Sequence, residues 1–221
     1  PVLGVMPWLD DQFPPEDSLD LLERKPSRVP TDLEIAVLKL PSISNFSDLD
    51  PLETEASVRL RWVSPGEPLG QPDAVLLPGS KQTLRDLEAL RSSGLDRQLL
   101  DFTGRGGSVL AICGGMQLLG QDLHDPHHLE GGDGAGPWPG LGLLPLTTQF
   151  GGTKVLRQRE VQALWPETTP VSGFELHHGS TQASDDLQPL CHEPGLGWWS
   201  ATPDGGWIAG TYLHGLLDNG P

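Results

Sequence analysis

The apolar and polar positions of this 221-residue chain fall into three regimes. The first thirty residues open on "PVLGVMPWL", a strand-like run carrying Val2, Leu3, Val5 and Met6, and continue as the Pro- and acid-rich "DDQFPPEDSLDLLERKPSRVP". That composition is typical of a connector between folded units. Residues 1–30 are therefore expected to be the end of a preceding domain plus its linker. From Thr31 the pattern becomes regular. "LEIAVLKL" (33–40), "VRLRWV" (58–63), "DAVLLPG" (73–79) and "SVLAI" (108–112) have strand character, while "TLRDLEALRSSG" places Leu84, Leu87 and Leu90 at helical spacing and closes on Gly94. "LDRQLLDFTGRGG" repeats that helical pattern with Leu95, Leu99 and Phe102, and "GMQLLGQDL" predicts a further helix. Apolar strands alternating with helices predict a parallel sheet covered on both faces. After Gly140 the strand candidates shorten ("GLLPLTT", "VSGFELHHG", "PLCHE", "WIAGTYLHG"), turns multiply and no strong helix appears. A β-rich extension is expected there.

Composition narrows this picture. Gly (28) and Pro (22) punctuate apolar runs instead of forming a repeat, which favours a loop-rich globular α/β protein over a disordered one. The net charge of −16 argues against nucleic acid or an anionic membrane surface as partner. No apolar stretch approaches the roughly 20 residues that span a bilayer, and no basic region with an apolar core marks a signal peptide. Two cysteines 78 positions apart make neither a disulfide framework nor a paired metal-ligand spacing, so a reducing cytoplasm is expected. A doubly wound fold normally continues with a helix after its last strand, so the end of the chain seven residues past His214 reads as clipped.

Ligands of open parallel sheets bind beyond the carboxyl ends of the strands. "LLPGSK" (76–81), "AICGG" (111–115) and "TYLHG" (211–215) fall at such ends. Cys113 follows an apolar strand and precedes two glycines and a helix. A sharp turn of that kind exposes its tip residue, and a helix N-terminus favours the thiolate. A lone cysteine is equally a small buried hydrophobe, and the local sequence does not separate the two. His214 sits where it can serve a thiol as general base. "HDPHHLEG", with His124, His127 and His128, lacks a ligand framework for a metal, and Cys191 lacks a glycine elbow and reads as structural. "LPGSK" is no phosphate-binding loop, since it has no second glycine and no GK[ST] ending. Gly79, with the backbone around Ser80, and Gly114 can each offer an N–H to an oxyanion.

"LPGSKQTLRDLEALRSSGL", "VLAICGGMQLLG", "DPHHLEG", "GLGLLPLTT", "SGFELHHGST" and "GTYLHGLL" occur in that order. Together they resemble the glutamine amidotransferase domains of the cobyric/cobyrinic acid synthase type. "FPPEDSL" looks like the end of an ATP-dependent amidoligase domain, and "LEIAVLKLPSISNFSDLDPL" like the opening of the amidotransferase half. The resemblance implies a class I-like amidotransferase over residues 31–221: a flavodoxin-like three-layer α/β/α sandwich with a mostly parallel central sheet and a β-rich second half. It implies Cys113 as the nucleophile toward glutamine, passing through a thioester, and His214 as base and then acid. Gly79 and Gly114 would form the oxyanion hole, and Gln117 would help to hold glutamine. Related enzymes often place a glutamate two residues after the histidine. Here that position is Leu216, which leaves a Cys-His dyad with Glu175 or a backbone carbonyl to orient His214.

No cofactor or metal is implied for this domain, whereas ATP and Mg²⁺ are expected for the N-terminal ligase domain. The implied partners are glutamine, that ligase domain and, through it, a corrinoid of cobalamin biosynthesis. This is adenosylcobyrinic acid a,c-diamide, whose b, d, e and g carboxylates become amides. The alternatives are an amidotransferase for cobyrinic acid a,c-diamide synthesis or for a peptidoglycan precursor, a related cysteine hydrolase, and a catalytically silent docking domain. The hydrolase branch tends to place a histidine directly after the nucleophile, where this chain has Gly114.

Overall fold

The computed structural model describes residues 32–130, 136–151 and 154–220, so the strand and linker expected over residues 1–30 lie outside the described residues. The first half runs β1 (Leu33–Leu38), β2 (Ile43–Ser44), a 3-10 turn (Phe46–Leu49), α1 (Asp50–Thr54), β3 (Val58–Val63), β4 (Ala74–Leu77) and β5 (Gly79–Ser80). It continues with α2 (Thr83–Ser93), α3 (Leu95–Gly104), β6 (Ser108–Ile112) and α4 (Gly114–Leu119). The second half holds β7 (Asp122–His124), β8 (Trp138–Pro139), β9 (Leu146–Gln149), β10 (Val155–Ala163), β11 (Thr169–His177) and β12 (Ser180–Ala183). It ends with β13 (Gln188–Pro189), β14 (Gly197–Ala201), β15 (Trp207–Thr211), β16 (Leu213–His214) and a 3-10 turn (Leu216–Asp218).

Seven strands form the main sheet in the order β13-β14-β15-β6-β4-β1-β3. The five from β15 to β3 are parallel, and β14 and β13 extend the edge antiparallel. Alternation decides which side chains meet which layer. Ala36, Leu38, Val75, Leu77, Val109 and Ala111 share one cluster with Leu84, Leu87, Leu90, Leu95, Leu99 and Phe102 of α2 and α3 and Met116 of α4. Val37 and Leu76 face the other way, where Leu49, Leu52 and Leu217 pack over them from short turns. The mostly parallel α/β sheet matches the expectation, with α2, α3 and the shorter α4 on one face and single-turn elements on the other. No helix among the described residues is long and apolar enough to cross a membrane.

Two element predictions need correction. The helix expected over "GMQLLGQDL" ends at Leu119, because Gly120 is extended at ψ 172°, and Asp122–His124 becomes β7. Its backbone is needed elsewhere: a Cβ on Gly120 would lie 2.9 Å from the Leu146 carbonyl oxygen, at the edge of β9. The nine-residue β10 was not anticipated. Most of its side chains are exposed or half-exposed, so its sequence lacks the apolar alternation that marks a buried strand. β10 pairs along its whole length with β11, and β11 pairs with β16, which places a small antiparallel sheet beside the carboxyl edge of the main one.

Candidate active site

The carboxyl end of β6 delivers Cys113 into a strained turn with φ 52° and ψ −113°, directly ahead of α4. A non-glycine residue persists in such a conformation only where its surroundings over-determine it. Here the Cys113 N–H donates to the Thr211 carbonyl at 2.7 Å and its carbonyl accepts from Gln117 N–H at 3.1 Å. The two following glycines are sterically required. A Cβ on Gly115 would lie 2.4 Å from the Leu77 carbonyl oxygen, and one on Gly114 would lie 2.7 Å from Ser80 N. The chain thus presses its elbow against the end of β4. The thiol donates to the Leu176 carbonyl of β11 at 3.3 Å.

β16 delivers His214, which has no exposed surface. Its Nδ1 donates to Asp48 Oδ2 at 2.7 Å, while Asp48 Oδ1 accepts the Gly215 N–H at 2.9 Å. Nε2 is then the nitrogen left for Cys113, with the Asn45 amide 3.2 Å away. Phe174 of β11 stacks on the ring, centroids 5.0 Å apart. Burial alone would lower the His214 pKa. The hydrogen bonds and charges of Asp48 and Cys113 outweigh it and push the value up to about 10. An imidazole held protonated in the neutral range is the counter-charge that a thiolate requires.

The expectation that Glu175 orients His214 is corrected by this arrangement. Glu175 points to the other side of β11, where Oε1 meets His177 Nε2 at 2.9 Å and Oε2 accepts from Arg159 Nε at 2.7 Å. Those contacts offset the cost of its burial and lower its pKa. Asp48 takes the expected role, and the sequence reading overlooked it. The signal was available, because the loop that follows β1 also leaves the carboxyl edge of the sheet and "NFSDLD" lies in it.

The oxyanion-hole expectation shifts by one residue. Lys81 N–H donates to the Ser42 carbonyl at 2.8 Å, and the ladder pairs Ile43 with Ser80 and Ser44 with Gly79. In an antiparallel pair the hydrogen-bonded positions alternate, so the Gly79 N–H is committed to Ser44. The Ser80 N–H faces away from β2, toward Gly114. Asp86, fully buried, fixes this loop by accepting from Ser42 N at 3.0 Å, Ser42 Oγ at 2.7 Å and Ser80 Oγ at 2.6 Å. Gln117 is a strut in this structure. Its amide donates to the His178 carbonyl at 3.1 Å and to Tyr212 Oη at 3.0 Å, and its Oε1 accepts from Thr83 Oγ1 at 3.3 Å. Both amide hydrogens are engaged, so the expected contact with glutamine does not come from them. Cys191 is buried, and burial raises its thiol pKa. Among the described residues no group of three or more His, Cys, Asp or Glu is arranged to hold a metal.

A thiol on a strand-to-helix elbow, faced by a buried imidazole–carboxylate pair at the carboxyl edge of a parallel sheet, belongs to the α/β architecture of the glutamine amidotransferases. PurLQS from Thermotoga maritima superposes with a TM-score of 0.60 over 83% of this chain and 88% of that one, at 14% identity. A second solved structure, a glutamine amidotransferase, gives 0.59 over 83% and 90%. Residues 34–221 match the model of the CobB/CobQ-like glutamine amidotransferase domain, and the chain belongs to that family. The whole chain is 86% identical to a cobyric acid synthase of Parasynechococcus marenigrum (strain WH8102), covering 45% of its length. It is 69% identical to a cobyric acid synthase of Synechococcus sp. (strain CC9605), covering 44%. The chain thus spans under half the length of these relatives.

Proposed function

We propose that this chain hydrolyses glutamine at Cys113 and delivers the ammonia to an ATP-dependent amidoligase domain of the same protein. The observation that carries the reading is the buried His214–Asp48 pair facing a thiol held in a strained elbow. Cys113, its proton held by His214, attacks the side-chain amide carbon of glutamine. The N–H groups of Gly114 and Ser80 hold the oxyanion of the tetrahedral intermediate. His214 passes its proton to the departing nitrogen, releasing ammonia and leaving a γ-glutamyl thioester. Water, deprotonated by His214, cleaves the thioester to glutamate. Asp48 keeps Nδ1 protonated throughout, so that Nε2 exchanges the proton.

The names of the relatives support cobyric acid synthesis as the setting. Residues 1–30 would then be the end of the ligase domain and its linker. ATP and Mg²⁺ would act in that domain, and the ammonia would amidate the b, d, e and g carboxylates of adenosylcobyrinic acid a,c-diamide. A silent docking role is disfavoured, because thiol, base and orienting carboxylate are all present and assembled.

The test is glutamate release from glutamine by the full-length protein and by its Cys113→Ala variant. Release is expected from the first and not from the second, and equal rates would overturn the nucleophile. Stimulation of turnover by the corrinoid with ATP and Mg²⁺ is expected, and its absence would overturn the setting.

A further inference from the structure

The small sheet β10-β11-β16 has two unlike faces. On one, Glu175 holds His177 and Arg159, while Val161 and Ala163 join the main core. The ladder fixes what the other face carries. Leu156 lies opposite Leu176, Gln158 opposite Phe174, and Phe174 opposite His214. Residues opposite each other, or two apart along one strand, share a face. Leu156, Leu176 and Phe174 therefore form one apolar stripe. It starts against the His214 ring, on which Phe174 stacks with centroids 5.0 Å apart. It ends at Leu156, which is 69% exposed, more than any other large apolar side chain among the described residues.

β10 is also an edge of its sheet. Only its carboxyl end is pinned: Leu164 N–H donates to the Leu190 carbonyl, and His192 N–H to the Gln162 carbonyl, each at 2.9 Å. Between Val155 and Glu160, no strand among the described residues pairs with its outer side. A long open edge bearing an exposed leucine invites another chain to pair with it. The stripe also borders the chemistry, because the Leu176 carbonyl accepts from the Cys113 thiol at 3.3 Å. Ammonia freed at that thiol stays nucleophilic only while water is kept from protonating it. The surface beside its point of release thus has a reason to be covered. The chain spans under half the length of its relatives, so a body large enough to cover it can belong to the same protein.

We propose that the Phe174–Leu176–Leu156 stripe, with the open edge of β10, is the docking surface of the amidoligase domain. The inference rests on the reading of Cys113 as the nucleophile that releases ammonia. Docking there takes Leu156 out of water and shields the ammonia on its way to the second site. The surface calls for a partner that is apolar at its centre and offers main-chain groups at its margin. The competing role for Leu156 is that of an ordinary surface leucine.

Two measurements on the full-length protein separate these roles. In the first, Leu156→Cys and Leu100→Cys are labelled with a maleimide and their peptides followed by mass spectrometry. Leu100, on α3, is 42% exposed, so exposure within this chain alone makes Leu156→Cys the faster to react. Docking reverses that order, and faster labelling of Leu156→Cys would overturn the surface. In the second, Leu156→Asp is compared with wild type in amidation of adenosylcobyrinic acid a,c-diamide, fed by glutamine or by ammonium chloride. Glutamine-fed amidation is expected to fall about tenfold, with ammonium-fed amidation and glutamate release retained. Equal losses from both nitrogen sources, or an unchanged glutamine-fed rate, would also overturn it. A wild type inactive on this corrinoid would refute the setting alone, and the labelling order still decides the surface. Glutamate release that survives Cys113→Ala would instead break the underlying reading, so the failures are distinguishable.

Discussion

Two buried histidines stand on neighbouring strands, each with a carboxylate at one ring nitrogen and an aromatic ring against its face. His214 has Asp48 and Phe174; His177 has Glu175 at 2.9 Å and Tyr212 stacked at 3.6 Å. What separates them is the second nitrogen. In His177 it meets the Gly179 carbonyl at 3.1 Å, so both ring positions are tied into the framework. In His214 it faces the thiol, with the Asn45 amide nitrogen also 3.2 Å away. The carboxylates differ as well: Glu175 also serves Arg159, which in turn bonds Glu193 at 2.9 Å, whereas Asp48 serves His214 and the amide next to it. The two pairs thus differ in whether the second nitrogen is tied to a backbone carbonyl and whether the carboxylate is shared with a further cation.

The comparison can be broken from either side. The largest effect is expected at His214, where His214→Ala should lower the rate of glutamine hydrolysis about 10⁴-fold while the fold persists. Asp48→Asn should approach that loss, at up to about 10⁴-fold in kcat, since the ring loses its fixed tautomer but not its position. The same substitution tests the raised His214 pKa. A folded-state value of about 10 against an ordinary 6.5 stabilises the protein fully below pH 6.5, and that contribution is lost as pH rises toward 10. Thermal melts of wild type and Asp48→Asn should therefore differ most at low pH and converge in alkali.

The scaffold pair should respond in stability rather than in rate. Glu175→Gln is expected to cost about 2 kcal/mol in urea unfolding with kcat intact. Because the Glu175 pKa is lowered, the stability it contributes is present above its ordinary 4.5 and lost as pH falls below that, a dependence the variant should lack. The smallest change is expected for His177→Gln, about 1 kcal/mol, again at constant kcat. A rate loss at His177 comparable to that at His214 would erase the distinction.

What could be read in advance follows the same division. The parallel core was legible because apolar strands and Leu-spaced helices carry their periodicity in adjacent residues, as Leu84, Leu87 and Leu90 do. Cys113 was legible as an elbow because Gly114 and Gly115 advertise a crowded turn. Asp48 was marked only by its place in the loop after β1, since its partner is 166 positions away and no local pattern singles out a carboxylate that reaches across a sheet. Glu175 looked plausible for the converse reason: it is near His214 in the fold, directly opposite Leu213 in the ladder, but strand alternation turns its side chain away. The one-residue shift from Gly79 to Ser80 is equally invisible without the ladder register.

The span of the His214–Asp48 contact also bears on when reactivity arises during folding. Closing so long a loop is entropically slow compared with forming the local β6–α4 elbow. Of the three residues, Asp48 leaves the ribosome first, Cys113 next and His214 last. A partly folded chain can therefore present a shaped thiol that has neither base nor orienting carboxylate. Chemical competence is thereby expected of the completed sheet and not of the elbow alone.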